Sequence, residues 1–401
     1  MLADAHRREW GFVLAATVRV TGDLDLAEEC AQDAFARALV RWPVDGVPRS
    51  PGAWLTTVAR NRAVDLLRRE AGLRSRLPLL VQDEPAADPE HHEIQDDRLR
   101  LVFTCCHPAL AVEAQVALTL RLLCGTSTAE VARAFLVSEP TMAARITRAK
   151  RKIAHARIPY RVPAGPELPE RVDAVLAVVH LLFTTGHTAP SGEALVRDEL
   201  LDRATQLARM LHALLPTPEV SGLLALVLLH DARRATRTDE HGRLLLLSEQ
   251  DRSRWDRAVV DEALALVRRA LVAGPPGRYA LQAAIAAVHT DAASWEQTDW
   301  GEIAALYGLL EQRWPSPVVA LNRAVAVGLS TGPQAGLDLL DRLGGEPALA
   351  TYPYLPAARA DLLRRLGRDA EARTAYEDAI LLTENDAERA FLTARVRALP
   401  G

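Results

Sequence analysis

The sequence predicts an all-α protein, and two observations carry that expectation. Apolar residues recur at three- and four-residue spacing along most of the chain, and the runs they mark meet capping residues or Pro- and Gly-rich turns at their ends. Only 239–247, DEHGRLLLL, has another character: a turn word followed by a leucine run reads as one short hairpin.

The first helix to read clearly is 23–38, with Asp23, Asp25, Glu28, Glu29 and Asp33 on one side and Leu26, Cys30, Ala34 and Phe35 nearer a core. A turn holding Pro43, Gly46, Pro48, Pro51 and Gly52 separates it from a helix over 53–70. There Trp54, Leu55, Val58, Val64 and Leu67 mark the buried stripe. Arg60, Arg62, Arg68 and Arg69 project outward around Asn61 and Asp65. Residues 71–97 combine Pro78, Pro85 and Pro89 with acids such as Asp83, Glu84, Asp88, Asp96 and Asp97, an extended acidic linker. Residues 126–155 then read as two helices and a turn, with Val131, Phe135, Val137, Met142, Ile146 and Ile153 on the buried sides. Ser138 caps the second helix, and Pro140 stands in its first turn, where the missing N–H costs nothing. Arg145, Arg148, Lys150, Arg151, Lys152 and Arg157 make that helix basic. A short positive helix propped by a first one is the geometry that enters a DNA major groove. On these residues alone, a solvated surface hairpin is the other reading.

Three words in order carry a resemblance: D-x-x-x-A-E-E-x-x-Q-D-A-F-x-x-A at 23–38, W-L-x-x-V-A-R-N-x-A-x-D-x-L-R-R at 54–69 and T-M-A-A-R-I-T-R-A-K-R-K-I at 141–153. They closely resemble the sigma-70 family of bacterial transcription initiation factors, in its small ECF (extracytoplasmic function) group, over about residues 8–157. The resemblance implies two partners, core RNA polymerase and promoter DNA. It implies that Asp23, Asp25, Glu28, Glu29, Gln32, Asp33 and Phe35 meet the coiled coil of the polymerase's largest subunit. It implies −10 contacts for Trp54, Arg60, Asn61, Arg62, Asp65, Arg68 and Arg69. The −35 contacts fall to Thr141, Ala143, Ala144, Arg145, Thr147, Arg148, Lys150 and Arg151. Unpaired bases are held by stacking and backbone charge, which Trp54 and the arginines could supply, although Trp54 at a helix start suits the core better than a stacking platform. Arg145 and Arg148 suit base or phosphate contacts, and Lys150 and Arg151 suit phosphate clamps. Family members commonly carry a basic and a small polar residue where this chain has Ala143 and Ala144. That departure shifts readout toward thymine methyls or DNA shape.

The expected domains are 1–70, the linker 71–97, the helix-turn-helix domain 98–157, a Pro-rich linker 158–170 and a helical extension 171–401. The acidic linker is either a solvated tether or a strand that mimics RNA charge in a basic polymerase channel. The extension shows apolar periodic runs at 171–186, 193–215, 219–235, 255–273, 278–290 and 301–313. From about 318 two segments repeat, PVVALNRAVAVGLSTGPQAGLDLLDRL and YLPAARADLLRRLGRDAEARTAYEDAI, roughly 35 residues apart. Their small residues Ala357, Ala360, Ala372, Ala375 and Ala379 resemble a tetratricopeptide repeat, in which stacked helix pairs bury a continuous core. The whole arrangement resembles the ECF subgroup with C-terminal tetratricopeptide domains, as do LLFTTGHTAPSG (181–192), LALVLLHDARR (224–234) and QDRSRWDRA (250–258). The resemblance implies an extension that regulates activity in place of a separate anti-sigma factor, with an intramolecular contact to the sigma domains as a further expectation.

Composition bounds the alternatives. The 401 residues carry a net charge of only −4, so the basic character is local to the helices. The start MLADAHRREWGF lacks an apolar signal core and no apolar run reaches the length of a membrane span, which predicts a cytoplasmic protein without membrane contact. The four cysteines form no C-x-x-C pair, and Cys105-Cys106-His107 reads as buried small side chains rather than a zinc site. No phosphate-binding Gly loop, H-E-x-x-H or nucleophile elbow is present, so no enzyme and no cofactor are expected. His180, His187, His230, Asp231 and His289 would have to converge to suggest otherwise. Asp251, Arg252, Arg254, Trp255, Asp256 and Arg257 read as an internal salt-bridge network. A conventional helix-turn-helix regulator with a repeat-type sensor domain is the rival reading, and the acidic 23–38 helix and Trp-headed 54–69 helix separate the two. A repeat adaptor with an incidental basic hairpin is a third.

Overall fold

A computed structural model describes residues 2–74, 91–135 and 137–400. Among these, all regular structure is helical apart from two isolated β-bridges, Gly192 with Asn385 and Thr238 with Leu244. The hairpin expected at 239–247 is therefore a single bridge closed by a turn, with Leu245 N donating to Arg237 O at 2.9 Å. By its contacts the chain divides into two units, Met1–Val179 and His180–Gly401.

In the first unit α1 (Leu2–Thr21), α2 (Leu24–Asp45) and α3 (Pro51–Arg74) pack on one another, and α4 (His91–Cys105) joins α1. Asp23 opens α2 by accepting from the backbone of Asp25 and Leu26 at 2.7 and 2.9 Å. Ala27, Cys30, Ala31, Ala34, Phe35, Ala38 and Trp42 then turn inward at helical spacing. On α3 the inward side is Leu55, Thr56, Ala59 and Ala63, while Trp54, Val58, Val64 and Leu67 are only half-buried. The stripe expected from the large apolar residues is thus shifted toward small ones. Small side chains let α3 approach α1 and α2 closely.

The linker expected over 71–97 is helical at both described ends, since α3 runs to Arg74 and α4 starts at His91; residues 75–90 lie outside the described residues. Asp97 is buried rather than solvated, and it accepts from Arg100 at 2.6 Å. Next come α5 (Val112–Leu118), a wide turn at Thr119–Leu123, α6 (Thr128–Ala134) and α7 (Glu139–His155). A reciprocal Ser127–Glu130 capping box starts α6, and Ser138 caps α7. Met142, Ile146, Ala149 and Ile153 fix the buried side of α7. The following segment is pinned by Tyr160, whose hydroxyl donates to Ala15 O at 2.8 Å and Asp97 O at 3.0 Å. α8 (Glu167–His187) begins inside the expected second linker and runs through Val179.

The second unit holds α9 (Asp198–Leu214), α10 (Pro218–Asp231), α11 (Arg257–Val272), α12 (Arg278–Asp291) and α13 (Trp300–Arg313). It continues with α14 (Pro317–Ser330), α15 (Pro333–Leu343), α16 (Tyr354–Arg365), α17 (Asp369–Leu382) and α18 (Asp386–Arg397). α10 is buried without a break from Val220 to Leu229, because α9, α11 and α12 all pack on it. Gly222 permits the α12 contact: a Cβ there would stand 2.5 Å from Ala280 N. From α13 onward each helix packs chiefly on its chain neighbours, and Gly328 and Gly336 bring α14 and α15 together. Asn385, fully buried, caps the start of α18. Its amide donates to Ala189 O and Ala194 O at 3.1 and 3.0 Å, and its carbonyl accepts from Glu388 N at 3.1 Å. Asn385→Ala removes a cap and takes the amide from the buried Ala189 carbonyl, so thermal melts should show a loss of about 2 kcal/mol. A loss under about 0.5 kcal/mol would mean that water or a shifted loop replaces the amide.

Candidate nucleic-acid interface

The second helix of the helix-turn-helix, α7, presents Thr141, Ala143, Ala144, Thr147, Arg148, Arg151 and Lys152 to solvent. Its buried residues recur three and four apart, which leaves one continuous face outward. Arg145 is half-buried, its guanidinium 5.8 Å from the Phe135 ring of the preceding turn. Thr141 Oγ shares a 2.8 Å hydrogen bond with the capping Ser138. The open basic groups of this helix are therefore Arg148, Arg151 and Lys152.

Lys150 departs from its expected role. Its side chain is 10% exposed, and the ammonium bonds Asp25 at 2.7 Å and Glu28 at 2.6 Å. Burial opposes its charge, but Glu28 and Asp25 outweigh that and hold its pKa above the ordinary value. Arg121 pairs with the other Glu28 oxygen, donates to Thr126 O at 3.1 Å and lies 5.9 Å from the Trp10 ring. Sequence reasoning missed Arg121, a single cation inside the leucine-rich LTLRLL run. A phosphate clamp at Lys150 is thus replaced by an ion-pair cluster joining α7 and α2.

The acidic face of α2 divides in the same way. Asp23, Asp25, Glu29 and Gln32 are exposed and Asp33 is half-buried, whereas Glu28 is drawn inside by Arg121 and Lys150. Phe35, grouped with the contact face from sequence, turns into the core against His6 and Trp10, with ring centroids 4.9 and 5.8 Å away. On α3, Asn61, Asp65, Arg68 and Arg69 are exposed and Arg60 is half-buried. Arg62 is tied to Asp33 by a 2.8 Å bond. Trp54 stands between its two readings, half-buried and edge-on to the buried Trp42 ring at 5.7 Å.

Cys105, Cys106 and Cys124 are buried, and burial pushes the Cys106 thiol up to about 11. His107 Nδ1 accepts from Ala109 N at 3.1 Å, so the ring caps a turn. The 251–257 cluster braces the second unit through caps and carbonyls rather than salt bridges. Asp251 and Asp256 cap the backbone of Ser253 and Val259, and Arg252 donates to His289 O at 2.8 Å and Ala292 O at 2.5 Å. Trp255 Nε1 donates to Thr236 Oγ1 at 3.0 Å.

A helical protein with a capped, outward-facing basic recognition helix behind an acidic and a basic helix is a DNA-binding transcription factor in class. Residues 6–72 match sigma-70 region 2, residues 100–153 match sigma-70 region 4, and residues 171–271 match a family of unknown function, DUF6596. An uncharacterized protein of Rhizobium meliloti (strain 1021) is 44% identical over 391 residues, covering 94% of this chain and 91% of its own length. No solved structure matches the chain. The chain belongs to the sigma-70 family as an ECF-type sigma factor with an additional C-terminal helical domain, and its role lies in transcription initiation. No helix among the described residues is long and apolar enough to cross a membrane.

Proposed function

We propose that this cytoplasmic sigma factor binds core RNA polymerase through the exposed acids of α2, engages the −10 element through α3 and reads the −35 element through α7. Its tetratricopeptide-like C-terminal domain regulates that activity in cis through contact with the sigma regions. The observation that carries the promoter reading is the open face of α7. Arg148 and Arg151 stand there beside Thr147 and Ala144, and neither makes an ion pair among the described residues. Asn61, Arg68 and Arg69, exposed on α3, support the −10 assignment. The chain performs no bond chemistry in this reading.

The test is run-off transcription with purified core polymerase on a promoter selected by the protein itself. Arg148→Ala and Arg151→Ala should each reduce the transcript about tenfold, in line with ~1–3 kcal/mol for a good base or phosphate contact. Only Arg148→Ala should also relax selectivity among −35 variants. Equal loss across those variants for both substitutions would defeat that division of labour. Tight duplex binding without core binding would assign the chain to conventional regulators. A chain ending at Val179 that binds core but is silent would make the second unit an activating part, and a more active one would make it an inhibitor.

A further inference from the structure

The second unit contains a cavity of about 610 Å³, within the usual range for small-molecule sites. Two of the sequence words quoted above build one side of it: His180, Phe183 and His187 come from α8, and His230 from the end of α10. Gln282 and His289 of α12, Tyr307 of α13 and Asn322 of α14 line the rest. The four histidines, which the sequence could only suggest might converge, do so here. Leu226, Leu229, Ile285 and Leu310 complete an apolar wall.

The polar side chains around this space are open and uncharged. Those of His180, His187, Gln282, Tyr307 and Asn322 make no hydrogen bond among the described residues, and His289 Nδ1 is buried without a partner. Nothing but burial acts on the Tyr307 hydroxyl, which is pushed up to about 12. Burial first, then neighbouring cationic groups, holds all four imidazoles below the usual histidine range, so at neutral pH each carries one N–H donor and one acceptor nitrogen. Arg233 donates to His230 Nδ1 at 2.9 Å, which places the proton of that ring on Nε2. Polar groups inside a fold are nearly always hydrogen-bonded, so six open ones from four helices around one cavity specify the chemistry of what fits there.

That chemistry mixes donors and acceptors. The Gln282 and Asn322 amides each present N–H2 beside C=O, and a ring carrying N–H next to C=O completes such an edge with two hydrogen bonds. A carboxylate or phosphate accepts only, and leaves the amide oxygens and imidazole acceptors unmet. We propose that this cavity binds an uncharged aromatic lactam or amide, its N–H and C=O met by the open side chains, Gln282 and Asn322 first, and its ring against the leucine and isoleucine wall. A regulatory effect of such a ligand rests on the role proposed above for the C-terminal domain. Its binding does not, so equilibrium dialysis of the full chain without polymerase keeps the two apart.

Three probes of one shape separate the terms. In 2-quinolone the fused rings carry N–H beside C=O, naphthalene lacks hydrogen-bonding groups, and 2-naphthoate bears a negative charge. At pH 7.5 2-quinolone should bind saturably with one-to-one stoichiometry, at least tenfold tighter than either of the others. Asn322→Leu and Gln282→Leu, at half-buried positions, keep most of the volume and remove the amide. Each should weaken 2-quinolone about tenfold and leave naphthalene unchanged, and either decides the matter if the other does not fold. Absence of saturable 2-quinolone binding would overturn the proposal. So would equal affinity for naphthalene, equal or tighter binding of 2-naphthoate, or an unchanged 2-quinolone affinity in the folded variants.

Discussion

Glu28→Gln is expected to lower the melting temperature of the chain by on the order of 10 °C, because one carboxylate serves two cations that have little else to pair with. The Glu28 and Lys150 side chains are 8% and 10% exposed, and that of Arg121 is 18% exposed. Removing one member of a buried pair leaves the other's desolvation uncompensated, at about 3 kcal/mol or more. Asp25 retains Lys150 after the substitution, but it is 74% exposed and screened, so it replaces little of the loss. Arg121 keeps only Thr126 O and the Trp10 face. Lys150→Met should cost less than Glu28→Gln, since its aliphatic stem is conserved and Arg121 still holds Glu28. The double variant should be more stable than the sum of the two losses predicts, which is the signature of direct coupling. Additive losses, or an unchanged melt for Glu28→Gln, would show that the cluster contributes nothing to folding.

That cluster also marks where sequence reasoning stops. The helices at 23–38, 53–70 and 126–155 were legible because their signals are local: acids opposite Cys30 and Ala34 on the first, Ser138 as a cap, and Met142, Ile146 and Ile153 as a stripe on the last. α1 was not foreseen, for it carries no cap word before Trp10, Leu14 and Val18. The start of α4 was hidden in the acidic run that reads as a linker. Lys150 and Glu28 lie 122 residues apart, and nothing near either names the other, so Lys150 reads as one more basic residue on a basic helix. Phe35 carries two readings, nearer the core by its spacing and on the contact face by resemblance, and His6 and Trp10 cover it as the spacing indicates. The cavity of about 610 Å³ that His180, His187, His230 and His289 line in the second unit is legible only as scattered histidines. Its two arginines, one beside His230-Asp231 and one after a Pro-Pro-Gly turn, look like ordinary helix ends until tertiary packing encloses them.

Those histidines give the last and largest prediction: acidification from pH 7 to pH 5 should destabilise the His180–Gly401 unit strongly. Burial, then Arg278, depresses His180 to about 4, and burial, then Arg233 and Arg252, depresses His289 to about 4. His187 and His230, 4.6 Å apart by ring centroid, are pushed down further in the same direction. In the unfolded chain each ring titrates near 6.5. Between that value and the folded one the unfolded state holds more protons, so stability falls as pH falls. The contribution is complete above about 6.5 and is lost as the pH drops toward 4. Its size is roughly 3 kcal/mol for each of His180 and His289, with the four rings titrating as a coupled set. Asp361 and Glu262 are held below their ordinary values and act at lower pH, and Glu388, pushed above its ordinary value by burial, acts in the opposite sense. Thermal melts at pH 7.5, 6 and 5 should show a fall that the combined variant His180→Phe, His289→Leu flattens. An equally steep profile in that variant would place the acid sensitivity elsewhere in the unit.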